Sequence, residues 1–206
     1  MTVNAVLFDI GNVLIEWQPE RFFDRVVGAE RSAEFFATVP ILDMNERVDA
    51  GEVFGDAVTD MIAQYPDWTA ELALWRDRWI EMASPAIDHS VRLLRALRRA
   101  GHRVFALSNF GNETFDLAVR EYPFLEEFDR RYISAALGLS KPAAAIYAHI
   151  EADCGLAPDT LLFTDDRPEN IAAAQVRGWQ THLFEGPEGW AARLVSQGLI
   201  TQEAAQ

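Results

Sequence analysis

The chain holds one cysteine, Cys154, in 206 residues. A lone thiol forms no internal disulfide and has no cysteine companion for a metal site, so disulfide scaffolds and cysteine-ligated metal folds are closed to it. We read Cys154 as a core residue at a helix end. Basic residues are also short, with 18 Lys and Arg against 32 Asp and Glu and a net charge of −14. That field repels phosphate backbones and anionic headgroups, which excludes nucleic acid and membrane surfaces as expected partners. No apolar stretch approaches the length of a membrane span. The start of the chain has no basic n-region and only a brief apolar run before Asp9, so no signal peptide is expected and the cytoplasm is the default address. Tandem repeats and low-complexity tracts are missing. G-x-G-x-x-G and P-loop patterns are missing too, and with them nicotinamide and ATP sites. His89, His102, His149 and His182 are scattered without metal-ligand spacing and are read as structural.

What the chain has instead is a set of short apolar runs that end on chemistry-bearing residues. Ala5-Val6-Leu7-Phe8 delivers Asp9 into Ile10-Gly11-Asn12-Val13. An apolar run bounded by glycine reads as a buried parallel strand, and ligands in open α/β sheets sit beyond the carboxyl ends of such strands. A carboxylate there is a candidate nucleophile able to hold a product as an ester. His102 to Leu107 leads likewise into Ser108-Asn109-Phe110-Gly111, and Thr160 to Thr164 leads into Asp165-Asp166-Arg167-Pro168-Glu169-Asn170. Between them Lys141 stands before Pro142. Singly, these residues suit turns, caps and solvated charges. A parallel sheet would gather them on one edge.

Strands are expected at residues 5–8, 103–107, 131–134, 161–164 and 180–184, with helices between consecutive strands. Right-handed crossovers then give an α/β fold, a three-layer, Rossmann-like parallel five-stranded sheet. From 16 to 84 the pattern turns helical, with helices expected at 20–27, 31–37, 52–64 and 69–82. The chain therefore divides into a core of 1–15 and 85–206 and a helical insertion, or cap, of 16–84. Trp68, Trp75 and Trp79 fall on one side of the last insertion helix and read as packing. Ser84-Pro85 reads as the N-cap and first residue of the next helix, and Gly101 as its stop. Residues 201–206 are polar and expected to fray.

In this order the motifs resemble the haloacid dehalogenase superfamily of aspartate-nucleophile hydrolases, from Val6 to about Phe184. The subgroup most similar is the small-cap sugar-phosphate phosphatases, whose first motif reads Phe-Asp-hydrophobic-Gly-Asn-Val. The resemblance implies a magnesium-dependent phosphatase that acts on a small phosphorylated metabolite through an aspartyl-phosphate on Asp9. It further implies metal ligation by Asp9, the Gly11 carbonyl and Asp166, with Asp165 and Asn170 in or beside the shell. Lys141 would contact Asp9 and the phosphoryl group, and Ser108 and the Asn109 amide would hold another oxygen. Trp17 and Pro19, at the entry to the insertion, are placed to line the substrate cleft. Oligomeric state is left open.

One position departs from the superfamily pattern. Most of its phosphatases carry a second Asp two residues after the nucleophile as proton donor, and here that residue is Gly11. Loss of a positioned acid costs about a hundred- to ten-thousand-fold for a poor leaving group. Either the substrate leaves easily, as an anomeric phosphate does, or water or an insertion side chain donates. Glu46 and Asp49 are the candidates there, read more simply as solvated charges. Two other readings stand beside the phosphatase: a metal-independent 2-haloacid dehalogenase using the same Asp, and a non-catalytic module that binds a phosphorylated ligand. The acidic pair Asp165-Asp166 argues for a cation and against the first.

Overall fold

The computed structural model describes residues 2–206. From β1 (Ala5–Phe8) a tight loop enters β2 (Ile15–Trp17). Six helices follow: α1 (Pro19–Val27), α2 (Ala29–Thr38), α3 (Ile41–Asp49), α4 (Phe54–Gln64), α5 (Thr69–Asp77) and α6 (Trp79–Met82). β3 (Ala83–Ala86) returns antiparallel to β2 and hands over to α7 (Asp88–Arg99). The rest alternates through β4 (Arg103–Ser108), α8 (Asn112–Glu121), β5 (Arg130–Ile133), α9 (Ser134–Leu137) and α10 (Ala144–Cys154). It ends with β6 (Leu161–Asp165), α11 (Pro168–Val176), β7 (Gln180–Leu183) and α12 (Pro187–Ser196).

The main sheet is parallel, five-stranded and ordered β5-β4-β1-β6-β7. Strand alternation sorts its side chains into two cores, because successive residues point to opposite faces. Val6, Phe8, Val104, Ala106 and Leu162 join one buried cluster with α7, α12 and the insertion. Ala5, Leu7, Phe105, Leu107, Leu161 and Phe163 join another with Ile146, Tyr147 and Ile150 of α10. Both faces of the central strands β1, β4 and β6 are covered, which is why these read as apolar runs. The expected α/β, Rossmann-like five-stranded sheet is thus what the chain forms.

The helical segment differs from the expected detail. β2 and β3, paired through Ile15–Ala86 and Trp17–Ala83, form a two-stranded ribbon at its base. Ser84-Pro85 therefore lies in a strand and not at a helix start, a position proline tolerates on a sheet edge; α7 begins at Asp88. The expected 69–82 helix breaks at Arg78, whose guanidinium turns onto Glu81 at 2.6 Å. Trp68, Trp75 and Trp79 are nevertheless all buried. Helix α3 was not expected. Its apolar contacts come from Ile41, Met44 and Val48, and the exposed Leu42 next to Ile41 blurs the period. The C-terminus, expected to fray, is in contact with α7: His89 Nε2 bonds the Ala205 carbonyl at 2.8 Å and Arg92 the Gln206 carbonyl at 3.1 Å. Cys154 is the last residue of α10 and packs against the second core.

Candidate functional site

Three strands of the sheet end at one place. Phe8 pairs with Ala106 of β4 and with Thr164 of β6, so the next step brings Asp9 beside Asp165, with Ser108 closing β4. The central strand β1 thus sets Asp9 between neighbours that lie 99 and more residues away in the chain. Asp9 Oδ1 accepts from the Ile10 amide at 2.7 Å and from Ser108 Oγ at 2.7 Å, and Lys141 Nζ stands 3.0 Å off the same oxygen. All three donors fall on Oδ1, which leaves Oδ2 as the oxygen turned to other partners.

Lys141 is the chain's single lysine. It is buried, and besides Asp9 it bonds Asp165 Oδ2 at 2.6 Å. Its backbone is clamped by the side chain of Asn109, whose Oδ1 accepts from Lys141 N at 2.8 Å and whose Nδ2 donates to Lys141 O at 2.9 Å. Asp165 is fully engaged: Oδ1 accepts the Arg167 amide at 2.8 Å and Asn170 Nδ2 at 2.9 Å, while Oδ2 takes Lys141 and again Asn170 at 3.0 Å. Asp166 has one listener, Asn12 Nδ2, at 3.1 Å from its Oδ2. Asn12 is the one non-glycine residue with positive φ among those described, at 54°, a conformation asparagine accepts readily. Its Oδ1 takes the Trp17 amide at 2.9 Å, so one side chain joins the nucleophile loop, Asp166 and the ribbon at the base of the insertion.

The electrostatics run short of positive charge. Burial pushes the Asp9 carboxyl up to about 7, helped by the charge of Asp165 and opposed by Lys141 and Ser108. Burial alone would lower Lys141, but the carboxylates of Asp9 and Asp165 outweigh it and raise the ammonium above its usual range. Asp166 is raised, again chiefly by burial. Asp9, Asp165 and Asp166 each bring a carboxylate oxygen within 4.8 Å of the others. A hard divalent cation fits that donor set: all-oxygen ligands, with a single lysine shared between Asp9 and Asp165 and no ion pair to Asp166. Asp165 spends its oxygens on Lys141, Arg167 and Asn170 and so anchors the lysine.

The structure brings together Asp9, Ser108, Asn109, Lys141, Asp165 and Asp166, with Gly11 in the loop beyond β1. Trp17 lies further out. It is half-buried, edge-to-face with Trp75 and tilted against Trp79 at ring distances of 6.0 and 5.4 Å. The positions that sequence reasoning passed over are Asn12 and Asn109's side chain, whose partners are distant in the chain. The Gly-Asn pair after Asp9 was the only local signal for Asn12. Of the insertion's candidate acids, Glu46 is exposed, whereas Asp49 is half-buried with its carboxyl pushed up to about 7, first by burial.

A family model described as a haloacid dehalogenase-like hydrolase matches residues 3–178. A sesquiterpene phosphatase of Aspergillus oryzae is 25% identical over 178 residues, 86% of this chain and 87% of that protein. A D-ribitol-5-phosphate phosphatase of Bacteroides thetaiotaomicron is 20% identical over 210 residues, 93% of this chain and 97% of that protein. Among solved structures, the HAD family enzyme bt-2542 of the same bacterium, in complex with magnesium and inorganic phosphate, superposes with a TM-score of 0.68 at 21% identity, over 87% of this chain and 93% of that one. The chain belongs to the haloacid dehalogenase-like hydrolases.

Proposed function

We propose that the protein is a magnesium-dependent phosphatase of a small phosphorylated metabolite, a sugar phosphate by preference, working through an aspartyl-phosphate on Asp9. The observation that carries this reading is the pairing of a buried nucleophilic carboxylate with the sole lysine and with a second carboxylate, Asp166, that lacks a cationic partner. The related phosphatases and the magnesium-phosphate complex of bt-2542 support the same class.

Asp9 and Asp166 would hold the cation together with the Gly11 carbonyl. When bound, it neutralises charge between an anionic nucleophile and an anionic ester. The remaining work falls to side chains of this chain. Ser108 and Lys141 hold Asp9 with one oxygen occupied and the other directed outward, and the ammonium of Lys141 meets negative charge as it grows on the phosphoryl oxygens. Attack of Asp9 on phosphorus breaks the ester bond, and water then cleaves the acyl phosphate. Asn109 and Asp165 fix Lys141 so that the charge does not have to be oriented during the reaction. The helical insertion, residues 16–84, serves as the cap over these groups, with Trp17 at its base facing the leaving group.

The test is a panel of phosphorylated metabolites assayed with magnesium and with chelator. Turnover of phosphate monoesters that chelator abolishes is the expected result. Halide release from 2-haloacids in the presence of chelator would replace this reading with the dehalogenase one. Binding of phosphate esters without any turnover would replace it with the non-catalytic one.

A further inference from the structure

We propose that Asp49, the last residue of α3, is the proton donor to the leaving alcohol, supplying from the insertion what Gly11 cannot supply from the loop after β1. The inference rests on the phosphatase reading above. The end of α3 is packed hard against the loop that follows β4. A Cβ on Gly111 would meet Val48 Cγ1 at 2.4 Å and Thr114 Oγ1 at 2.9 Å, so a glycine at 111 is what leaves room for the Val48 side chain of α3. Ser134 Oγ donates to the Asp49 carbonyl at 2.5 Å and accepts the Phe110 amide at 2.9 Å. Asp49 is therefore tied to the same Ser108-Asn109-Phe110-Gly111 loop that holds Asp9 and Lys141.

Its carboxyl accepts Asn45 Nδ2 at 3.1 Å and lies beside the Gly111 amide. The charged groups that bear on it are Glu46 of its own helix and, across the gap, Asp9 and Lys141. No cation of the insertion neutralises it, since Arg47 is turned onto Glu52 at 3.3 Å. Glu113 of α8, the acidic neighbour from the other side, is taken up by the Phe54 amide at 3.3 Å. Position at a helix C-terminus further disfavours the anion. Burial, with these acidic neighbours, holds the carboxyl up to about 7, so about half of it carries a proton at neutral pH and that proton is readily given up.

The proton balance closes over one cycle. As an Asp9 oxygen bonds to phosphorus and the ester P–O bond breaks, the leaving oxygen takes the Asp49 proton and departs as the alcohol. Asp49, now a carboxylate, accepts a proton from the water whose oxygen attacks phosphorus. That attack breaks the bond to Asp9 and restores both carboxyl groups.

The experiment compares single-turnover alcohol release from a sugar phosphate and from 4-nitrophenyl phosphate, with magnesium, in the wild type, Asp49→Asn and the Asp49→Asn, Gly11→Asp double variant. Nitrophenolate needs little protonation, whereas an alkoxide needs it fully. Asp49→Asn is expected to slow the sugar ester about a hundred- to ten-thousand-fold and the aryl ester by less than about tenfold. It should also remove the fall in sugar-ester rate above a pH of about 7. The double variant is expected to recover the sugar ester, because Gly11 has an unstrained φ and a side chain there meets nothing within 4 Å. Equal slowing of both esters would make Asp49 structural and overturn the proposal, as would no slowing of either. A wild type inactive on both esters would overturn the phosphatase reading itself, and that arm is measured first.

Discussion

Asp9 sits where its charge is disfavoured, and the cost can be read out without substrate. The carboxyl titrates near 3.8 when unfolded and near 7 in the native protein, so between those values the native state binds more protons. Stability from this group is therefore lost as pH rises through that window, by a few kcal/mol at pH 8. Asp9→Asn should raise the melting temperature at pH 8 in chelator, with a gain that shrinks toward pH 4, while turnover falls to background. A melting temperature that drops at pH 8 would contradict the electrostatic account. Magnesium should raise the wild-type midpoint at pH 8 and leave Asp9→Asn nearly unmoved. At this scale Asp9, Ser108, Lys141 and the acidic pair were legible because each follows an apolar run or precedes a proline. Asn12 and Asn109's side chain were not, and Asp49 was visible only as one of two insertion acids read as solvated. Their meaning comes from partners such as Asp166, 154 residues from Asn12, which no local pattern encodes.

Helix α3 and the loop after β4 act as one element, joined through Gly111. Gly111→Ala forces a methyl into Val48 and Thr114 Oγ1, 2.4 and 2.9 Å away, and one side must move. Overpacking of that kind costs about 1–3 kcal/mol, and here it would also displace Asp49 and the Ser108 loop. The expected outcome is a lower midpoint in chemical denaturation together with slower sugar-ester turnover. Normal turnover would show that the α3 junction is irrelevant to the site. The central strands β1, β4 and β6 were legible because burial on both faces makes them largely apolar, whereas the edge strands β5 and β7 are partly exposed and carry polar residues. The ribbon of β2 and β3 was not, being 3 and 4 residues long, half-buried and carrying a proline. The same proline chemistry that suggested a helix start at Ser84-Pro85 is satisfied there by a strand edge.

The molecule as a whole carries −14 and turns over, on this account, an anion. Long-range repulsion then opposes encounter, and only the local positive character at the sheet edge offsets it. Raising salt from about 20 to about 200 mM should therefore increase kcat/KM by about two- to fivefold at constant free magnesium, with kcat little changed. A decrease would mean that an attractive field reaches the cleft, contrary to the charge count. No helix among the described residues is long and apolar enough to cross a membrane. Fold class follows from the pattern of short strands and intervening helices; the sheet order and the geometry at the strand ends come from strand pairing and register. The most direct measurement is an acid quench of a single turnover with a phosphate ester and magnesium, followed by peptide mapping. Phosphate on the peptide bearing Asp9, absent in Asp9→Asn and absent with chelator, is the predicted result. Inorganic phosphate released with no phosphorylated peptide at any quench time, or phosphate on a different side chain, would contradict it.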